Sequence, residues 1–330
     1  MKKLVTFLSI AFSFVLNAQD FHLAQYDAAQ LYMNPGTTGM FQGEPGSYRI
    51  TADYRAQWLS LGMKPFNTQF ISFDMPLVKW DQKWGVGGFI MNNHANPGLF
   101  RTMQVMGSGA YNIMSTSREH YLTAGLQMGI IYKTVNQGEY SFDEQYDASS
   151  GTFNTALDDG ENFARMSRVG FDAAIGIHYK YVAPYGKYHP FGSFSIHHLP
   201  KPNESLTGTK SKLPMRFNLM GGCDLDLRED FMLSPRFVYM NQAKAYEFNI
   251  GVLGYYKIKN SNLDAMLGCD YRHKDAIIAH IGFRQGKSIF RFSYDVNISG
   301  LNNYTNNRGA WEFSLILVGV KNQPLLKPIF

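Results

Sequence analysis

Leu122-Thr123-Ala124-Gly125-Leu126-Gln127-Met128-Gly129-Ile130-Ile131-Tyr132 decides the fold. Leu122, Ala124, Leu126, Met128, Ile130 and Tyr132 are apolar, and Thr123, Gly125, Gln127 and Gly129 between them are small or polar. A period of two belongs to a strand with two chemically different faces. Val169, Phe171, Ala173, Ile175, Ile177 and Tyr179 repeat the rhythm against Gly170, Asp172, Ala174, Gly176, His178 and Lys180. It recurs from Tyr48 to Val320 with no comparable helical stretch between units. Lipid on one face and water on the other produces this pattern, so the chain reads as an all-β transmembrane antiparallel barrel.

Fourteen segments carry the rhythm: 48–58, 66–76, 84–93, 99–113, 119–133, 165–181, 188–199, 214–227, 230–241, 246–257, 262–272, 276–284, 288–297 and 309–320. The even count suits a barrel with both termini in the periplasm. Connections alternate accordingly. The long ones, 134–164, 200–213 and 298–308, all fall on the side away from the termini. Turns such as Arg228-Glu229 and Gln285-Gly286 fall on the near side. Long extracellular loops and short periplasmic turns are the asymmetry expected of an outer-membrane barrel.

The remaining chain divides at three places. Lys2 and Lys3, an apolar Leu4–Leu16 and the small-residue site near Ala18 read as a signal peptide over 1–18. No cysteine follows it, which argues against a lipid-anchored N-terminus. Residues 19–47 do not alternate; Phe21 to Met33 suit a short helix stopped before Pro35. That segment is expected in the periplasm, in the lumen as a partial plug, or on a partner. Residues 321–330 form a C-terminal tail expected in the periplasm.

Composition bounds the function. Formal charge is +5, or +3 without Lys2 and Lys3, and it is scattered, which argues against nucleic acid. Charged residues make up 17%, below the roughly one quarter usual for soluble domains. Mean hydropathy is below zero, because averaging hides the apolar half of each strand. Cys223 and Cys269 fall on apolar faces of strands not expected to be neighbours and read as free thiols. Lumen candidates Asp172, Lys180, Arg216, Asp224, Asp226, Asp264, Asp270, Arg272, Arg284, Arg291, Asp295 and Glu312 intersperse both signs. Mixed charge favours pairing across a narrow, wet interior over an ion-selective ring.

No constellation of a chemical site emerges, and neither enzyme, cofactor nor metal is expected. His197 and His198 are adjacent and point to opposite faces of a strand, so they do not share a metal. Asp143, Glu144, Asp147, Asp158, Asp159 and Glu161 lack the spacing of an EF-hand loop and read as a solvated face. Gly85-Val86-Gly87-Gly88 opens a strand rather than a helix, which argues against a phosphate loop. Ser, His and Asp occur without a motif that sets a nucleophile beside a base. Partner contact is assigned to Phe142, Tyr146, Phe153 and Phe163 of the longest loop and to His197, His198 and Leu199 at the base of the next. Tyr32, Asn34 and Pro35 of the N-terminal segment complete that assignment.

Several phrases go beyond architecture. They are Gln25-Tyr26 with Tyr32-Met33-Asn34-Pro35-Gly36-Thr37-Thr38-Gly39, Arg49 to Trp58, Trp84-Gly85-Val86-Gly87, Pro190-Phe191-Gly192-Ser193, His197-His198-Leu199, Ser293-Tyr294-Asp295 and Gly309-Ala310-Trp311-Glu312. In this order the chain resembles the PorP/SprF family of type IX secretion membrane proteins of Bacteroidetes, over essentially its whole mature length. It departs mildly, with Gly36 where alanine is usual and Trp311 where histidine is usual. The resemblance implies a non-enzymatic outer-membrane barrel working beside the secretion motor and translocon. It also implies two kinds of protein partner. One is cargo with a C-terminal sorting domain, gliding adhesins included; the other is a periplasmic ring of a lipoprotein and its partner. No catalytic residue is carried over. A diffusion channel or small-molecule transporter is the alternative function.

Overall fold

The computed structural model describes residues 20–41, 47–58, 65–77, 83–95, 100–114, 117, 119–136, 143–154, 156–157, 165–182, 186–208, 210–300 and 302–320. The signal peptide and the tail lie outside the described residues. Fourteen strands close a barrel: β1 (Ser47–Gln57), β2 (Phe66–Pro76), β3 (Trp84–Ala95), β4 (Phe100–Asn112), β5 (His120–Val135), β8 (Ser167–Tyr181), β9 (Tyr188–His197), β10 (Arg216–Arg228), β11 (Phe231–Gln242), β12 (Ala245–Lys257), β13 (Leu263–Arg272), β14 (Ala276–Gln285), β15 (Ser288–Asn297) and β16 (Arg308–Val320). A two-stranded hairpin, β6 (Tyr146–Asp147) and β7 (Thr152–Phe153), stands in the longest loop.

Every barrel strand pairs antiparallel with its sequence neighbours. β1 closes on β16 in an unbroken register from Ser47 opposite Val320 to Gln57 opposite Ala310. Strand ends agree with the sequence reading to within two or three residues. β9 stops at His197 rather than continuing to 199, because His198 takes a left-handed backbone (φ 59°) that leaves the strand. The two faces separate as the alternation requires. Leu126, Met128 and Ile130 are 41–49% exposed on the outside, whereas Thr123 and Gln127 of the same strand are fully buried inside. Cys223 and Cys269 are free, on β10 and β13, which are not adjacent. No described helix is long and apolar enough to cross a membrane.

The barrel has two unlike ends. The turn end carries Ser47, Val320 and connections such as 229–230 and 286–287; the loop end carries the β5–β8, β9–β10 and β15–β16 connections.

Residues 20–41 occupy the lumen. Leu23, Ala24, Gln25, Tyr26, Ala28, Ala29 and the run Leu31–Thr38 are all buried. The helix expected from Phe21 to Met33 shrinks to one turn, Gln30–Met33, followed by a 3-10 turn, Pro35–Thr37. The reason is competition for backbone donors. The N–H groups of Ala24 and Gln25 bond Glu312 of the wall at 2.8 and 2.7 Å, so they are not available to a helix ladder.

The segment lies in the lumen, one of the positions expected for it, and its direction of travel can be followed from its contacts. Asp20 binds Gln242, Arg216 and His198, all at the loop end, while Gly39 binds Asp74 near the turn end. The segment therefore runs the length of the lumen. Asp20 lies at the mouth opposite to the one where β1 begins and β16 ends.

Candidate functional site: the plugged lumen

Wall side chains grip the plug mainly through its backbone. Gln127 Nε2 donates to Leu31 O (3.1 Å), and Arg216 Nη2 to Tyr32 O (3.2 Å). Ser195 Oγ and Asn218 Nδ2 both donate to Met33 O, at 2.6 and 3.0 Å. Thr123 Oγ1 donates to Gly36 O (2.6 Å), and Arg49 Nη2 to Thr37 O (3.2 Å). Buried carbonyls that leave helix and sheet need such partners, and here the barrel interior provides them.

Charge fixes the plug at three heights. At the loop-end mouth the Asp20 carboxylate meets His198 Nε2 at 2.6 Å and Arg216 Nη1 at 2.8 Å. His198 Nδ1 meets Asp172 at 2.9 Å, so this imidazole is held between two carboxylates. Burial alone would lower the His198 pKa, but Asp20 and Asp172 outweigh it and raise it to about 9. Burial likewise works against the Asp20 carboxylate, yet His198 and Arg216 keep it well below the usual range. Midway down, Asp27 is clamped by Arg236 at 2.7 Å and by both Arg291 amino groups at 2.8 and 3.0 Å. Near the turn end, Arg49 pairs with Asp74 at 2.7 Å, and Asp74 accepts the Gly39 N–H at 2.6 Å.

The plug is also bound across the closing seam. Glu312 on β16 accepts Ala24 N, Gln25 N and Arg55 Nη1 of β1, the last at 2.9 Å. The Gln25 amide donates to Ser293 of β15 and to the Glu312 carbonyl, both at 3.0 Å. Its oxygen accepts from Arg291 at 2.7 Å and from Ser314.

Two opposite sides of the lumen, β2–β4 and β11, carry apolar residues, which departs from the expected wet interior. Phe70, Phe89, Met91, Met106, Val238 and Met240 pack against Leu23, Tyr26, Ala29, Leu31, Tyr32 and Met33. Tyr32 stacks on Phe21 (5.7 Å between centroids), meets Phe89 edge-on and lies under the Arg216 guanidinium. Glycines let the two backbones touch elsewhere. A Cβ on Gly125 would sit 2.3 Å from both C and O of Pro35, and one on Gly85 only 1.9 Å from Thr38 O. Within the Gly85–Gly88 run, Gly85 makes room for the plug, while Gly87 and Gly88 make room for the adjacent wall strands. A cavity of about 540 Å³ remains toward the turn end, lined by residues including Asp226, Lys257, Asp264 and Arg284.

The residues assigned to partners now have places. Tyr32, Asn34 and Pro35 are buried in the lumen; Asn34 Nδ2 donates to Ile177 O (2.7 Å) and Phe194 O (3.3 Å) of the wall. In the structure these three residues contact this chain's own barrel. His197 and His198 do not point to opposite faces. His197 Nε2 lies 3.1 Å from Met33 O, on the lumen face it shares with Ser195, and His198 binds Asp20 because its left-handed backbone swings its ring to the same side. Leu199 is half-buried and donates its N–H to Ala173 O at 3.1 Å. Tyr146 and Phe153, 49% and 51% exposed, form an edge-on pair 5.3 Å apart on the loop hairpin. Phe142 and Phe163 lie outside the described residues. Asp147 of that hairpin turns inward to Ser149 and Ser150.

Of the expected lumen charges, Arg216, Arg291 and Glu312 hold the plug, and Asp172 acts on it through His198. Others pair within the wall: Lys180 with Asp224 (3.1 Å), Arg284 with Asp264 (2.6 Å), and Arg272 with Asp295 (2.7 Å). Gln127, Ser195, Asn218 and Thr123 escaped sequence reasoning as plug-binding residues. Glycine recurring at lumen positions was the available signal, since it marks close backbone approach.

A family model described as type IX secretion system membrane protein PorP/SprF matches residues 15–317. A search among curated proteins finds no match. Among solved structures, the fold resembles the P. putida toluene transporter TodX (10% identity, 88% of this chain and 93% of that one, TM-score 0.50). It also resembles the monoaromatic hydrocarbon channel CymD (10%, 90% and 93%, 0.51) and a TodX deltaS2S3 mutant (10%, 89% and 94%, 0.52). At such identity these similarities concern the fold, an outer-membrane-type barrel.

Proposed function

Since this chain belongs to the PorP/SprF family of type IX secretion system membrane proteins, we propose that it is a sealed, non-enzymatic component of that system in the outer membrane. In this reading its loop end assists export or surface attachment of cargo by holding the cargo's C-terminal sorting domain, gliding adhesins among the substrates. The 1–18 segment serves as the export signal. The 321–330 tail meets the periplasmic ring lipoprotein complex or the translocon, and the apolar outer face meets outer-membrane lipid.

The observation that supports this over a diffusion channel is the plug. A solute path would have to pass a segment held by two ionic clamps, by the Asp74 carboxylate on the Gly39 N–H and by a run of backbone hydrogen bonds. The exposed Tyr146–Phe153 pair supplies an aromatic contact on a rigid scaffold at the loop end, the kind of surface that anchors protein partners.

The test is deletion of the gene followed by tracking each type IX substrate. Lost export or display of at least one substrate is expected; normal handling of all of them defeats the reading. Shortening the loop between Val135 and Ser167 is expected to leave the barrel heat-modifiable on gels while cargo is shed.

A further inference from the structure

β8 is a fifteen-residue strand with an incomplete neighbour. β5 pairs with it along its whole length, from Thr134 opposite Ser167 to His120 opposite Tyr181, but β9 pairs only with Ile175–Lys180. The chain after β9 cannot complete the ladder. His198 and Lys201 are left-handed (φ 59° and 50°), and Pro200 and Pro202 have no N–H. This stretch is tied to β8 by the His198–Asp172 contact, by Leu199 N donating to Ala173 O and by Arg168 Nη1 donating to Ser205 O, and to the residue two before β8 by Arg165 N donating to Leu206 O. Pro202 meanwhile lies over Gly170.

Parity then fixes what is left open. Ala173 and Arg165 direct their backbone groups away from β5, whereas Met166 O bonds Val135 N on the β5 side. Residues of odd number therefore face the gap, and Val169 and Phe171 have no backbone partner there among the described residues. Their side chains are 59% and 56% exposed on the outer face, opposite Tyr132 and Ile130 of β5. Unserved N–H and C=O groups flanked by apolar side chains at a membrane rim are costly and make a template for another strand. Among the described residues the exposed charges of the adjoining chain are basic. Arg165, Lys201, Lys210 and Lys212 are exposed, while the nearby Glu204 is already engaged by Lys133 at 3.1 Å.

We propose that the open β8 edge at Val169 and Phe171 is a docking site for an extended, acidic segment of a partner polypeptide, which adds to the wall as a strand. Backbone hydrogen bonds to the edge give affinity, apolar residues at alternate positions pack on Val169 and Phe171, and carboxylates meet the surrounding cations. The site does not depend on the type IX reading.

The test uses full-length protein in nanodiscs and a fluorescent ten-residue peptide alternating Glu with Val or Phe. Saturable binding is expected, at least fivefold weaker when salt is raised from 50 to 500 mM, because exposed charges are screened. Val169→Pro removes the edge N–H without touching the β5 ladder and should weaken binding at least tenfold; Val169→Ala should change it less than threefold. Lys201→Glu with Lys212→Glu should weaken it severalfold. Heat-modifiable migration checks that each variant folds, and amide exchange at Val169 and Phe171 should slow when the peptide is present. The proposal is overturned by absence of binding, by equal binding of a Lys-alternating peptide, by an unchanged affinity in Val169→Pro, or by cross-linking that shows the edge occupied by a second copy of this chain.

Discussion

Replacing Gly125 by valine should loosen the plug while leaving the barrel closed. The Gly125 Cβ position points into the lumen, 2.3 Å from Pro35 C and O and 2.5 Å from Gly36 N, where ordinary contact begins near 3.4 Å. The plug must retreat by about 1 Å, and backbone cannot yield as a flexible side chain does. That shift breaks the Thr123 Oγ1 bond to Gly36 O (2.6 Å) and draws Asn34 Nδ2 off Ile177 O (2.7 Å). Each lost bond costs about 1 kcal/mol net, and each group left buried without a partner a further ~1–3 kcal/mol. The total, about 3–5 kcal/mol, corresponds to roughly two to three and a half orders of magnitude in the population of plug-displaced molecules. The β4–β5–β8 ladders are untouched, since the new side chain points away from them.

Planar-bilayer recording should find wild type closed, a deletion of 20–41 steadily conducting, and Gly125→Val flickering between the two. Amide exchange over residues 31–38 should rise in the valine variant in step with its open time. A deletion variant that closes as a heat-modifiable barrel yet conducts no more than wild type would refute the assignment of the seal to this segment. An unchanged conductance and unchanged exchange in Gly125→Val would refute the contact geometry.

Three further outcomes follow from the same contacts. The mouth clamp has a pH window. The Asp20 carboxyl is held below its ordinary 3.8, so its contribution is full above that value and fades as pH falls through the lowered one. The His198 pKa is raised from 6.5 to about 9, so its contribution is full below 6.5 and fades as pH rises through 9. Exchange protection of Ala24 and Gln25 should therefore be greatest between about pH 4 and 6.5, and His198→Gln should flatten the alkaline limb. Asp27→Ala leaves Arg236 and Arg291 facing one another without their shared anion, which should lower stability by ~3–5 kcal/mol. Adding Arg291→Met should restore part of it, read as a non-additive double-mutant cycle in urea. Ile281→Arg on the lipid face, now 59% exposed, should cost ~2–4 kcal/mol near the membrane midplane and lower the yield of assembled barrel.

The barrel was legible residue by residue. Leu122 to Tyr132 and Val169 to Tyr179 alternate because each strand residue has one of two destinations, and that choice is local. Arg216, Arg291 and Glu312 were legible as lumen residues for the same reason, though not as plug ligands. The segment from Asp20 to Phe41 was not legible in this way. Its donors and acceptors are satisfied by Glu312, Arg216 and Asp74, 35 to 288 positions distant in the chain, and no window of sequence contains both partners. The His197–His198 pair was misread because the left-handed backbone of His198 turns its ring to the lumen side that His197 already faces in the strand.

Sequence alone determined that this chain makes a closed antiparallel wall of fourteen strands with apolar outside and polar inside, since periodicity and turn placement are written in consecutive residues. Tertiary structure alone decided that the wall is stoppered, that Asp20 sits at the mouth away from Ser47, and that Val169 and Phe171 of β8 find no backbone partner on their β9 side among the described residues. These depend on which backbone groups find partners across the lumen, and hydrogen-bond satisfaction is settled only when distant strands are brought within 3 Å of one another.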